Sequence, residues 1–158
     1  MDNKRTFEQE LSENGKLIYT NVGVSMRPLI REGRDILVIE KRSPESIKRY
    51  DAVLFKRANI KGRGEYVLHR IVKILPNGDF YIVGDNATKG EIVKPSQILG
   101  VLTGLNHAGR QVNLKGFKYR LYVYLWCAPY HLRFSVLHTK HFLSFIFGSI
   151  LHKLKVCK

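Results

Sequence analysis

The chain has 158 residues, of which 44% are hydrophobic and 25% charged, and this composition favours a single folded domain over a disordered chain or two full domains. Its formal net charge is +14, and no Asp or Glu follows Glu91. A cationic surface attracts the phosphates of nucleic acids or of anionic lipids, and charge alone does not distinguish them. The sequence has no uninterrupted apolar run of about 18 residues, the length that a membrane-spanning helix requires.

A short helix is predicted at the start of the chain, over residues 6–14. Thr6 is a suitable N-cap, Gln9 stands at the capping-box position, and Asn14-Gly15 is a typical helix end. The first 14 residues are polar and partly acidic, which is not typical of a secretory signal. We therefore expect residues 1–15 to form a peripheral helical element.

Residues 16–116 are predicted to form a mainly β domain, because short runs rich in Ile, Val, Leu, Tyr and Phe alternate with turn residues. Turns are indicated at 76–79 and at 106–109. The sequence leaves the pairing of non-sequential strands open. The predicted strands cover residues 17–21, 36–40, 52–56, 66–74, 80–83, 97–105 and 111–114.

Residues 117–158 form a basic, aromatic segment that is predicted to be helical and to be interrupted at Pro129. Two interpretations remain open: a pair of helices lying on a membrane surface, or a helical hairpin packed on the β domain. Cys127 and Cys157 lack the spacing of metal ligands or of a disulfide framework, and we interpret them as apolar fillers or lone thiols.

Two separate segments contain residues with catalytic potential. Ser25 lies in Gly23-Val24-Ser25-Met26-Arg27-Pro28-Leu29, a loop between two predicted strands, where a serine can be exposed to substrate. His69 lies on the strand predicted over 66–74, and an imidazole near neutral pH is a suitable base for a serine hydroxyl. Taken alone, the serine fits an ordinary turn and the histidine a structural position. Lys73 shares the face of His69 but lies about 13 Å further along a strand, so it is a poor substitute base unless the strand bulges.

The sequences Ser25-Met26-x-Pro28, His69-Arg70 and Gly84-Asp85-Asn86 resemble, in this order, motifs of the signal peptidase I family and of the related self-cleaving repressor peptidases. Bacterial members have a lysine at the position of His69, whereas the endoplasmic-reticulum-type members have histidine. The resemblance covers about residues 23–105. It implies a signal-peptidase/repressor-cleavage-like β domain in which Ser25 is the nucleophile and His69 the general base.

A carboxylate should hydrogen-bond the second ring nitrogen of His69 and so complete a catalytic triad. We favour Asp85, because it belongs to the third motif. Glu91 is the rival, since in the histidine-type relatives the acid follows the Gly-Asp-Asn sequence by several residues, although it is an aspartate there. The backbone N–H of Ser25 is the expected oxyanion donor. Gly23 cannot supply the hydroxyl that some relatives place two residues before the nucleophile.

The resemblance thus implies a serine endopeptidase that cleaves an extended leader or signal segment after small residues, through an acyl-enzyme. The expected partners are a peptide or protein precursor and a membrane surface contacted by residues 117–158. We expect no cofactor and no metal, because His131, His138 and His141 lack a carboxylate or cysteine partner. A membrane-associated location is expected on either side of the membrane, and a cytoplasmic location fits as well.

Two other classes of protein are alternatives to a peptidase. One is a self-cleaving repressor-like regulatory module that binds nucleic acid, but the acidic region before Ser25 is too short for a helix-turn-helix domain, so nucleic acid is not the expected partner. The other is a β module that keeps the fold without catalysis and binds a partner.

Overall fold

A computed structural model describes residues 6–20, 22–58 and 64–139. Within these residues the chain is mainly β, with an antiparallel sheet, a short N-terminal helix and a helical C-terminal segment, which confirms the predicted fold class. The strands are β1 (Lys16–Thr20), β2 (Asp35–Glu40), β3 (Ala52–Ala58), β4 (Gly64–Ile74), β5 (Phe80–Val83), β6 (Gly90–Val93), β7 (Ile98–His107) and β8 (Arg110–Gln111). The helices are α1 (Phe7–Asn14) and α2 (Phe117–Tyr122), which continues into a π-helical turn (Val123–Cys127); residues 130–139 are also helical.

The strand order in the sheet is β1-β2-β7-β3-β4-β5-β6, and β8 pairs with β7. Because β7 lies between β2 and β3, a late strand joins the first hairpin to the second. The two predicted turns lie where expected, between β4 and β5 and between β7 and β8. Gly78 and Gly109 occupy them with positive φ, a conformation that glycine adopts without steric cost.

Helix α1 begins and ends where the sequence predicts. The Thr6 side chain accepts from the Gln9 N–H, and the Gln9 side chain accepts from the Thr6 N–H, which together form a capping box. Gly15 closes the helix in the left-handed conformation. Leu11 points into the core, so the helix is fastened to one face of the sheet.

Strand β6 was not predicted from the sequence. Its four residues are too few for a clear alternating pattern, and one of them is glycine. It forms as the edge of the sheet by pairing with β5, with Glu91 opposite Ile82. This pairing places Glu91 on the edge strand, separated from β4 by β5.

Each face of the sheet covers a separate hydrophobic cluster. Along β4, Leu68 belongs to the cluster shared with α1, whereas Val67 and Ile71 belong to the other. Successive strand residues point to opposite faces, so Arg70 lies on the face of Leu68 and His69 on the face of Ile71. His69 and Arg70 are therefore neighbours in sequence whose side chains lie on opposite faces of the sheet.

The C-terminal segment packs against the β domain over its described part, with a turn at residues 128–129, where Pro129 was predicted to interrupt it. Among the described residues, every helix is too short or too polar to cross a membrane.

Replacing Ile82 by Ala should lower the free energy of unfolding by about 2–5 kcal/mol, because this fully buried side chain would leave a cavity in the core. Ile92→Ala on the neighbouring strand is the matched control, since Ile92 is 63% exposed and should cost far less. Urea denaturation of both variants measures the difference. Equal losses would contradict the described register of β5 and β6.

Candidate active site

The loop of Ser25 connects β1 to β2 and is anchored by buried side chains. Met26 and Ile30 are fully buried in the core, and the Ile30 N–H donates to the Met26 carbonyl at 3.0 Å. Ser25 itself is half-buried at the surface of the turn. Gly23 has a φ of 99°, a conformation that other residues rarely adopt. The loop thus presents the serine next to a short stretch of backbone without a side chain.

The Gly84-Asp85-Asn86 turn, at the end of β5, holds this loop in place. The Asn86 N–H donates to the Ser25 carbonyl at 2.7 Å, and the Asn86 side-chain amide donates to the Val24 carbonyl at 3.3 Å. A backbone hydrogen bond to the residue of interest leaves its side chain free for other contacts. The Gly84-Asp85-Asn86 turn is therefore bonded directly to the Ser25 loop.

Gly84 lies at the meeting point of the two candidate catalytic residues. A Cβ atom at this position would lie 2.8 Å from the Ser25 carbonyl oxygen and 2.9 Å from His69 Nε2. Both distances are too short for any side chain, so the site requires glycine here. Ser25 and His69 therefore lie against the same glycine, on the same side of the sheet.

His69, on β4, lies between Phe55 on β3 and Glu91 on β6. Its ring lies 6.1 Å from that of Phe55, and its side chain is 12% exposed. One ring nitrogen, Nδ1, lies 3.5 Å from Glu91 Oε1, while the other, Nε2, lies beside Gly84 and the Ser25 loop. An imidazole with a carboxylate at one nitrogen and a serine near the other has the order of groups found in a catalytic triad.

The Ser25 hydroxyl has no hydrogen-bond partner in the part of the chain that the structure describes. Its bond to His69 is therefore not formed in this state. In free enzymes such bonds are often long and tighten only when substrate is bound. Ser25 and His69 both lie against Gly84, so a hydrogen bond between them would require only a local movement.

The carboxylate that lies beside His69 is that of Glu91, the rival candidate, whereas the favoured Asp85 is engaged elsewhere. Glu91 contacts His69 from the edge strand β6 and also accepts a hydrogen bond from Arg57 Nη1 at 3.1 Å. The contact with His69 lowers the pKa of the Glu91 carboxyl, Arg57 lowers it further, and partial burial opposes both. The carboxylate is thus kept ionised next to the imidazole.

Asp85 instead forms a fully buried ion pair with Arg70. The Arg70 guanidinium donates from Nε and Nη2 to the two Asp85 oxygens at 2.9 and 2.7 Å, and both side chains are inaccessible to solvent. Burial alone would lower the pKa of Arg70, but the Asp85 charge outweighs it and raises that pKa well above its ordinary value. The Asp85 oxygens are engaged on the face of β4 opposite His69.

The C-terminal segment surrounds this ion pair. The Tyr122 hydroxyl donates to Asp85 Oδ2 at 2.8 Å, and the Trp126 indole N–H donates to the Asp85 carbonyl at 2.9 Å. Arg70 Nη1 donates to the Tyr119 hydroxyl at 2.9 Å, and Arg133 Nη2 donates to the Gly84 carbonyl at 3.2 Å. The C-terminal segment therefore holds the Gly84-Asp85-Asn86 turn, which is itself bonded to the Ser25 loop.

The remaining sequence candidates lie away from the site. β4 does bulge between Ile71 and Lys73, and the Lys73 side chain is exposed. His131 and His138 are exposed, and no group of three or more potential metal ligands occurs among the described residues. His141 and Cys157 lie outside the described residues, whereas Cys127 is a buried free thiol, as one of its two interpretations required.

Sequence reasoning missed Arg57 and the ring of side chains around Asp85. Arg57 on β3 reaches Glu91 and also Glu65 on the neighbouring strand. An isolated arginine in a strand carries no signal of such a role. The sequence shows that the C-terminal segment is rich in aromatic residues, but it does not show that these residues bond to Arg70 and Asp85.

Comparison with family models, with curated proteins and with solved structures finds no significant match to this chain. The candidate site therefore rests on its own geometry and on the sequence motifs.

Replacing Asp85 by Asn should destabilise the fold by about 3–5 kcal/mol, because Arg70 would remain buried without its counter-charge. Asp79→Asn is the matched control, since Asp79 lies in the β4–β5 turn and its side chain bonds only locally to Asn77. Chemical denaturation measures both. A mild effect of Asp85→Asn, similar to that of the control, would contradict the structural role of this carboxylate.

Proposed function

We propose that the chain is a serine endopeptidase of the signal peptidase type, with Ser25 as nucleophile, His69 as general base and Glu91 as the acid that orients it. The proposal rests on one observation: Nδ1 of His69 faces Glu91, while Nε2 lies against Gly84, which also contacts the Ser25 backbone. The three motifs that resemble the signal peptidase family supply this same glycine, serine and histidine. We expect the substrate to be an extended peptide or protein precursor.

The reaction follows from these positions. Ser25 Oγ attacks the carbonyl carbon of the scissile bond, and His69 Nε2 takes the hydroxyl proton. Glu91 stabilises the imidazolium that forms, and the Ser25 N–H donates to the developing oxyanion. The tetrahedral intermediate expels the amine, which takes the proton from His69 and leaves an ester on Ser25. Water then attacks this ester, with His69 again acting as base, and releases the carboxylic acid.

A cavity of about 730 Å³ borders the nucleophile loop. Pro28 and Leu29 line it from the loop, and Phe117, Tyr119 and Tyr122 line it from α2. Tyr119 and Tyr122 bond to the Arg70–Asp85 pair, on the face of β4 opposite His69. The cavity therefore lies apart from the proposed catalytic residues, and it is not the expected place of the scissile bond.

The catalytic pair is tested with an acylating or phosphonylating probe for reactive serines, since no natural substrate is needed. The wild-type chain should form an adduct on Ser25, located by peptide mass spectrometry. Ser25→Ala should form none, and His69→Ala should react about 10²-fold or more slowly, because the hydroxyl loses its base. Ser43→Ala, a surface serine on another loop, should react like wild type. Equal labelling of His69→Ala and wild type would exclude the proposed mechanism.

Glu91→Gln should slow the labelling of Ser25 about 10²-fold or more, because the amide cannot stabilise the imidazolium and does not fix the ring in the required orientation. Glu65→Gln is the matched control: Glu65 also pairs with Arg57 but has no contact with His69. The pseudo-first-order labelling rates of the two variants are compared with wild type. If both variants react at the wild-type rate, Glu91 is not part of the machinery.

A further inference from the structure

The described part of the C-terminal segment has two apolar faces rather than one. The first, here called the inner face, points to the β domain and includes Tyr122, Trp126 and Arg133, which bond to the Gly84-Asp85 turn. The second, here called the outer face, consists of large apolar side chains that are 45–76% exposed: Phe117, Leu121, Tyr124, Leu125, Leu132 and Val136.

The outer face has one part on each side of the turn at residues 128–129. Phe117, Leu121, Tyr124 and Leu125 recur at spacings of three and four residues, so they form a stripe along the first helical part, and Leu132 and Val136, four residues apart, share one side of the second. The inner face already fastens the segment to the domain, so the outer face is not required for that packing. Large apolar side chains grouped at the surface of a folded protein are typical of an interaction site.

The charges beside the stripe indicate what it binds. Lys115, Lys118 and Arg120 are exposed around α2, and the sequence from Lys94 to Lys158 contains no acidic residue. Apolar side chains flanked by cations match an anionic bilayer, in which acyl chains take up the apolar stripe and headgroups neutralise the charge. A nucleic-acid interface is polar and would leave six large apolar side chains in water. A second copy of the chain would bring together two equally cationic surfaces.

We propose that residues 117–139 lie in the interface of an anionic lipid bilayer, with the outer face inserted and the inner face fastened to the Gly84-Asp85 turn. The depth of insertion expected for such helices is about 5–10 Å. The binding does not depend on peptidase activity. It places the Ser25 loop, which is braced by that turn, close to the membrane surface.

The test is flotation of the full chain with vesicles. The wild-type chain should float with vesicles of phosphatidylcholine and phosphatidylserine at least about tenfold more than with phosphatidylcholine alone, because the cations contribute. The double variant Leu125→Asp/Leu132→Asp should lose about tenfold or more of this binding, since acidic groups replace two inserted side chains. Ile18→Asp/Ile74→Asp is the matched control. It introduces the same charge at apolar positions that are also exposed, on β1 and β4, and should float like wild type.

Trp126 reports on folding in these variants, because it is the sole tryptophan and belongs to the inner face. Unchanged emission in the absence of lipid shows that the inner packing is intact. The proposal is overturned if wild type floats equally with both vesicle types, or if Leu125→Asp/Leu132→Asp floats like wild type. It is also overturned if the outer-face variant loses only self-association, measured by analytical ultracentrifugation, or only binding to duplex DNA.

Discussion

The buried ion pair of Arg70 and Asp85 is the interaction on which both halves of the candidate site depend. Two charges removed from water cost several kcal/mol each in desolvation, so the pair adds little net stability by itself. Its value is geometric: both oxygens of Asp85 and three nitrogens of Arg70 have fixed partners. The backbone at residues 70 and 85 is therefore held in one conformation. A buried pair that is fully hydrogen-bonded specifies structure more than it stabilises it.

That constraint reaches the residues of the candidate site, His69 and the Ser25 loop, by two short routes. Along β4, Arg70 is bonded on one face of the sheet, and the preceding residue, His69, must then face the other. Along the turn, Asp85 lies between Gly84 and Asn86, which contact the Ser25 loop. On each route, the residue of the ion pair is adjacent in sequence to a residue of the candidate site. Displacement of the ion pair would therefore move both His69 and the Ser25 loop, although neither touches it.

The elements that sequence specified well are those with local rules. Helix α1 followed from Thr6, Gln9 and Gly15, and the β4–β5 hairpin from its Pro-Asn-Gly-Asp turn. Local rules did not identify the carboxylate that lies beside His69. Asp85 stands in a turn, where the direction of a side chain does not follow from an alternating pattern, and the Arg70 that binds it is nearby only in the folded sheet. Glu91 could be chosen only with the pairing of β6, which its four residues did not reveal.

The two interpretations of the C-terminal segment could not be separated from its sequence for a related reason. Apolar residues recur on both sides of the segment, so a pattern analysis finds no polar face that would indicate the solvent side. Packing on the domain and an exposed apolar stripe turn out to coexist: one face bonds to the Gly84-Asp85 turn, and the other remains open.

The geometry of the sheet also explains how Glu91 reaches His69. Glu91 is on β6 and His69 on β4, with β5 between them, so their backbones are separated by two strand spacings, or about 10 Å. Glu91 pairs with Ile82, which pairs with Ile71, two residues beyond His69 on the same face. To contact His69, the Glu91 side chain must therefore extend across β5 and also along the strand direction. The long side chain of glutamate supplies this reach, and Arg57 donates to the same carboxylate oxygen, Oε1, that lies beside His69.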